Sequence, residues 1–440
     1  MVKASSALRG GWIVAALAAF SRTTYAQPAS APPLPPLAPS APSAPSAPSA
    51  PAGETPSATP SPPASGAPSV AGALSPGAAS DALHITPLGY VETYYQWNFN
   101  QPSNGITNYR DFDNRHDSFT ISNVAVGAAM DYGPVTAKLV LQVGSTPDTY
   151  YAGEPVLPGS AGASASSGNT WKYLQEANLG WKAPVGSGLL IQMGLFLSPI
   201  GPESIAVKDQ WNWSRSNLFY GLPYYHTGLR ATYDLGNGLS ATAAVYNGWN
   251  SVVDNNSEKS VSANVDYKQG IVTAQVLYFG GVERPTGAPE GAPWRHDFDA
   301  YAQFDVASWL SLLANANAGL EVNRFGTSDW YAGAAYARVH AASWLYFAAR
   351  ADAFHEDVAS SALGRAAPIF WPASWVSSGT FTIDTRPHDN LSVRLEYRHD
   401  QSASDMFFAG AVSGGGAATS PYVTNARSQD TLTLGATAWF

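Results

Sequence analysis

The sequence predicts an all-β chain, a transmembrane antiparallel β-barrel of about sixteen strands. Three observations carry that prediction. The composition is poor in charge and rich in rings, apolar and polar residues alternate with period two, and short connections alternate strictly with long ones. Charged residues make up 12% of the chain, about half the usual soluble share. Tyr (22) outnumbers Phe (17), and Trp reaches 14. Few charges, many amphipathic rings and no long apolar run in the body of the chain fit a surface shared between lipid and water. The absence of Cys removes a disulfide framework and a Cys-based zinc site.

Three segments follow one another. Residues 1–26 read as a secretory signal, with Lys3 and Arg9 before the apolar run 12–20 and Thr24-Tyr25-Ala26 as the cleavage site. That run is too short for a bilayer, which needs roughly 20 apolar residues. Losing Lys3, Arg9 and Arg22 with the leader takes the formal charge from −9 to −12. Phosphate binding needs clustered Lys and Arg, so a nucleic-acid partner is set aside. Residues 27–84 contain almost only Ala, Pro, Ser and Gly. Proline removes backbone donors and nothing there can bury a core, so a disordered periplasmic arm is expected, gaining about 3.1 Å per residue where extended.

Residues 85–440 form the expected barrel domain. Leu391, Val393, Leu395 and Tyr397 alternate with Ser392, Arg394, Glu396 and Arg398, which gives one apolar and one charged face. Similar alternation runs through 135–144, 229–235, 261–268, 298–306 and 310–320. Tight links are read at 132–134, 184–188, 236–238, 269–270, 307–308, 341–343 and 387–390. Long connections are read at 100–116, 146–170, 198–222, 250–258, 281–295, 322–328, 357–376 and 402–428. Short turns on one rim and long loops on the other mark an outer-membrane barrel, and both chain ends then fall on the periplasmic rim. Trp181, Tyr233, Tyr267, Trp309 and Trp344 are expected near that rim, and Trp97, Trp249 and Tyr278 near the outer one. The last strand carries Leu432, Leu434, Ala436, Ala438 and Phe440 on one face.

The stretch Gly89-Tyr90-Val91-Glu92-Thr93-Tyr94-Tyr95 and the later Phe112-Asp113-Asn114-Arg115-His116-Asp117-Ser118-Phe119-Thr120 resemble the OmpL-like family of β-barrel porins. Trp211-Asn212-Trp213-Ser214-Arg215-Ser216, Pro223 and His226-Thr227-Gly228-Leu229-Arg230 resemble it as well. The resemblance covers roughly residues 87–440. It implies an outer-membrane location, contact with outer-membrane lipid and lipopolysaccharide, and passive transport of small hydrophilic solutes or ions. It brings no catalytic residue. Similarity to outer-membrane barrels in general implies that the assembly machinery reads the strand ending in Phe440, and similarity to porins in general implies a homo-oligomer.

A barrel of this size can enclose water, so its chemistry lies on the inward face. The register points Glu92, Lys138, Lys172, Glu176, Arg230, Asp234, Asp266, Lys268, Asp299, Asp305, Arg338, Arg350, Asp352, Arg394, Glu396 and Arg398 inward. Arg or Lys on the lipid face would cost about 2–4 kcal/mol near the midplane. The third long connection, 198–222, carries Glu203, Lys208, Asp209 and Arg215 among Trp211, Trp213, Phe219 and Tyr220, which suits a loop folded into the lumen as a constriction.

Other chemistry finds less support. The run Asp111-Phe112-Asp113-Asn114-Arg115-His116-Asp117 spaces oxygens as calcium needs, yet lacks the turn Gly and the downstream Glu, so a polar loop is the expectation. His355-Glu356 begins a zinc-protease pattern that fails at Ala359. No metal or cofactor is expected. Two rival functions stand beside the channel: a structural or adhesin barrel tethered to the cell wall by its Pro-rich arm, and an outer-membrane hydrolase with a Ser-His pair on the barrel wall.

Overall fold

The computed structural model describes residues 82–160 and 163–440, so the expected leader and most of the expected arm lie outside the described residues. The chain builds β1 (His84–Asn98), β2 (Ser118–Tyr132), β3 (Val135–Val143), β4 (Leu174–Ala183), β5 (Leu189–Leu197) and β6 (Tyr225–Gly236). It continues with β7 (Leu239–Tyr246), β8 (Ser260–Gln269), β9 (Val272–Val282), β10 (Trp294–Ala307), β11 (Leu310–Asn323), β12 (Gly326–Ala342) and β13 (Leu345–Asp357). A two-residue hairpin pair, β14 (Ser360–Ser361) and β15 (Gly364–Arg365), precedes β16 (Trp375–His388), β17 (Leu391–Ser402) and β18 (Ser428–Trp439). All but the small hairpin form one closed antiparallel barrel, in which each strand pairs with its sequence neighbours and β1 pairs with β18. Closure leaves no strand edge exposed, as a membrane requires.

The alternation does what the pattern predicts. Leu139, Leu141, Leu179, Leu229, Val265, Val276, Phe298, Leu395, Leu432 and Leu434 are exposed on the outer surface, while the residues between them are buried or half-buried toward the lumen. Trp181, Trp309 and Trp344 are exposed close to the short-turn rim. β1 begins and β18 ends on that same rim, where Trp439 donates its N–H to the Asn390 carbonyl of the last tight turn. The Phe440 ring lies over Gly89, where any Cβ would collide with it.

Three expectations fail. The connection expected at 322–328 is only the link Arg324-Phe325, because β11 and β12 keep pairing up to Asn323 opposite Gly326. Lys172 is not on the wall; it caps a short helix (Gly168–Trp171) in the second loop and pairs with Asp148 at 3.0 Å. Trp249 faces inward, edge-on to Phe279 at 5.5 Å and under the Arg295 guanidinium, and so is not part of the outer girdle. In the last two cases a side chain assigned to a strand belongs to a loop, where period two no longer holds.

The lumen and its inward loop

The third loop, residues 198–224, turns into the barrel. A loop there has no ladder partners, so its backbone groups need others. Glu92 on β1 accepts the Val207 N–H at 2.5 Å. Glu396 on β17 accepts the N–H groups of Trp213 and Ser214 at 2.5 and 2.9 Å, and the Thr382 hydroxyl at 2.7 Å. Arg394 donates to the Asn212 carbonyl at 2.9 Å, and Arg350 to those of Ser214 and Arg215 at 2.5 and 3.0 Å. Asp352 accepts the Asn217 N–H at 3.1 Å, and Arg398 donates to the Arg215 carbonyl and to Asn217 Oδ1. Wall charges of both signs thus hold the segment 207–217 by charge-assisted bonds. The Trp213 ring seals the contact by lying flush against Gly435 of β18, where a Cβ would fall inside the ring.

Of the loop's own charges, only Lys208 and Asp209 face each other; the rest turn to backbone groups of the loop or to the wall. Glu203 accepts the Ser216 N–H at 3.0 Å and meets Arg350 at 3.3 Å. Arg215 is buried, donates to the carbonyls of Ser204, Ile205 and Trp213, and stacks over Phe112 of the first loop at 5.0 Å. Lys208 and Asp209 pair at 2.8 Å, both partly exposed. Arg338 lies over the Trp211 ring at 5.1 Å.

Other loops follow the third inward. Glu356, read from sequence only as half of a failed zinc motif, accepts the N–H groups of Ile369, Phe370 and Trp371 at 2.5, 3.1 and 2.8 Å. These residues join Leu218 and Leu222 of the third loop and Met406 and Phe407 of the last in one buried apolar cluster within the barrel. A second cluster brings Phe112, Tyr150, Phe219 and Tyr224 together from three loops. Beside it, buried Asp111 accepts the Tyr224 hydroxyl at 2.6 Å, and burial pushes its carboxyl up to about 7. Glu154 accepts the Tyr225 hydroxyl at 2.6 Å and the Val252 N–H at 2.9 Å, and burial raises it too. Asp111 Oδ1 and both Asp113 oxygens therefore take protein donors. Among the described residues, no group of three His, Cys, Asp or Glu side chains is placed to hold a metal ion.

Free space lies against the opposite wall. A cavity of about 320 Å³ runs beneath the third loop along the inner faces of β3 to β10, lined by Lys138, Glu176, Arg230 and Asp266 among Asn178, Gln192, Thr232, Asn264 and Gln275. Lys138 and Glu176 pair at 2.5 Å. The neutral Asn, Gln and Thr residues sit on the polar phase of the alternation; sequence reasoning, which tracked charge, passed over them. Ser198 also borders this cavity, and its Oγ lies 3.3 Å from Nε2 of His226. The His226 ring is fully buried against Tyr246 and pairs through Nδ1 with the Gly248 carbonyl, not with a carboxylate.

The architecture is similar to OmpT of Vibrio cholerae folded in vitro, with TM-score 0.53 and 9% identity, covering 82% of this chain and 98% of that one. A trimer form of the same protein gives TM-score 0.52 and 9% identity, covering 82% and 100%. An anion-selective porin from Comamonas acidovorans gives TM-score 0.53 and 12% identity, again covering 82% and 100%. These identities support the shared fold alone. No curated protein sequence matches the chain. Residues 84–440 match the family described as "Putative beta-barrel porin-2, OmpL-like", so the chain belongs to that family and is a porin-type barrel of the outer membrane.

Proposed function

We propose that the barrel passes small hydrophilic solutes or ions by passive diffusion, narrowed by the third loop and carried along the wall of β3 to β10. One observation supports this above the rest: the 320 Å³ cavity beneath that loop keeps charges of both signs and neutral polar groups at its lining, whereas the opposite wall spends its charges on the loop. Lys138, Glu176 and Arg230 line the passage in this reading. Glu203, Arg215, Arg338, Arg350, Asp352, Arg394, Glu396 and Arg398 fix the constriction, with Lys208 and Asp209 on the loop between them. The same reading has the leader cleaved near Ala26 and the assembly machinery reading the strand that ends in Phe440. The outer face then contacts lipid and lipopolysaccharide, and protomers associate as homo-oligomers.

Two observations favour rivals. The apolar cluster from three loops fills part of the lumen, as a plugged structural barrel tethered by its arm would require. The Ser198–His226 pair is what a hydrolase would need, but the ring's second nitrogen meets a carbonyl and the Ser198 hydroxyl also accepts the Ile200 N–H at 3.4 Å, so the plain reading is a loop cap and a non-enzymatic barrel. Single-channel conductance of the refolded mature protein under a salt gradient decides. Steady ohmic steps are expected, and their reversal potential gives the selectivity. Silence from a barrel shown folded by heat-modifiable gel migration would move the assignment to the tether.

A further inference from the structure

Two neighbouring tyrosines join the third loop to the loops around it, and they are held unequally. The Tyr225 hydroxyl stands between Glu154 Oε2 of the second loop at 2.6 Å and the Asn250 carbonyl of the fourth at 3.0 Å. Glu154 also takes the Val252 and Val253 N–H groups at 2.9 and 3.3 Å, so three donors support its charge. The Tyr224 hydroxyl stands in the same way between Asp111 Oδ1 of the first loop at 2.6 Å and the Tyr220 carbonyl at 3.1 Å. Among the described residues, no second donor reaches the Asp111 carboxyl.

A phenol has one hydrogen to give. With Asp111 ionised, that hydrogen goes to the carboxylate and is withdrawn from the carbonyl. With Asp111 protonated, the acid gives its own hydrogen to the phenol oxygen, and the phenol serves the carbonyl. The charges around Asp111 pull both ways. Arg215 of the third loop favours the carboxylate, whereas Glu203 of that loop and Asp113 of the first oppose it. Arg215 is already shared among three carbonyls, and burial outweighs it, pushing Asp111 up to about 7. Tyr150 of the second loop stacks on Tyr224 at 5.9 Å.

The pair sits where it can control the passage. Phe112, next to Asp111, packs on Phe219 and Tyr224 with ring centroids 6.1 and 5.6 Å away. Phe219 and Tyr224, with Tyr150, belong to the lining that the loops give to the 320 Å³ cavity. The first loop therefore backs the rings that close the cavity on its loop side. The fourth loop stays tied to the third by Asn250 Oδ1, which accepts the Tyr224 N–H at 2.6 Å.

We infer that Asp111 and Tyr224 form a proton-dependent latch, which clamps the first loop onto the third while the acid keeps its proton and releases it, widening the passage, when that proton passes to the water outside. The inference deepens the diffusion reading and rests on it for the current alone, not for the loop movement. Nitroxides on Arg115→Cys of the first loop and Glu258→Cys of the fourth read the movement, in a chain that has no cysteine of its own. Bilayer conductance reads the passage, and both are followed from about pH 5 to pH 9. The ratio of released to latched loop is expected to rise by up to about tenfold per pH unit around neutrality, the mark of one proton, with conductance following it. Asp111→Asn, whose amide N–H replaces the acid hydrogen, is expected to stay latched at low conductance throughout. A wild-type distance that ignores pH, or a step that survives in Asp111→Asn, would overturn the latch. The first criterion needs no change at Asp111, so it stands even where Asp111→Asn misfolds. A distance that steps with pH in a barrel carrying no current would sink the channel and keep the latch, whereas ohmic current with no step in distance would do the reverse.

Discussion

The two halves of the barrel wall use the same kinds of residue for different ends. On β13, β17 and β1, inward charges meet the backbone of the third loop: Arg350, Asp352, Arg394, Glu396, Arg398 and Glu92 each bond to it. On β3 to β9, Lys138, Glu176, Arg230 and Asp266 pair among themselves or with neutral amides and border open space. The strands differ as well. β3 to β9 run 8–12 residues, against 12–17 for β10 to β13 and β16 to β18. The contrast teaches that an inward charge in a barrel is not by itself a pore charge. What matters is whether a loop has already taken it.

That contrast can be broken from the loop side first. Arg350→Ala removes the partner of Asp352 and Glu203 and the donor to two loop carbonyls, leaving buried carboxylates uncompensated. A loss of about 3–5 kcal/mol is expected, read as a lower temperature in heat-modifiable gel migration, together with larger and noisier conductance steps.

The pH dependence comes next. Asp111 has its folded pKa raised to about 7 by burial, so the fold favours its protonated form. The stabilisation is complete below the unfolded value near 4 and is lost as pH rises through about 7. Burial raises Glu154 as well, and it acts in the same direction. The barrel is expected to melt higher at pH 5 than at pH 8 by on the order of 2 kcal/mol, and Asp111→Asn should flatten much of that slope. An unchanged slope in the variant would assign the effect elsewhere.

Gly435→Ala tests the seal itself. The added methyl meets the Trp213 ring, so about 1–2 kcal/mol of overpacking strain is expected, with the loop displaced from β18. Restored stability in a double variant with Trp213→Leu would confirm the contact. The smallest effect belongs to Lys182→Ala at the short-turn rim, where the pair with Asp131 is half exposed; under about 1 kcal/mol is expected, and no change in conductance.

Much of the fold was legible because lipid enforces it. Leu395 and Leu432 face out and Arg394 and Glu396 face in, since a slip of one residue would put the charges into hydrocarbon. The tight turns are legible for the same local reason: Gly236, Asn237 and Gly238 all take positive φ at the link between β6 and β7. Where a side chain leaves the ladder, legibility ends. Lys172 and Trp249 obeyed strand periodicity on paper but sit in loops. Arg324-Phe325 read as part of a long loop because pairing, not composition, decides how far β11 and β12 run.

The sequence by itself determined the strand count and the face of each wall residue, because these follow from period two and from local turn chemistry; the family was legible only through the motifs that resemble it. Only the tertiary structure decided what the inward residues are for. Glu396 and Asp266 look alike in sequence, each an acid on the polar phase of a strand. One meets the N–H groups of Trp213 and Ser214 and the other the amides of Asn264 and Gln275. That difference is set by where a loop 182 residues away comes to rest, since its unpaired backbone must find partners somewhere inside the barrel.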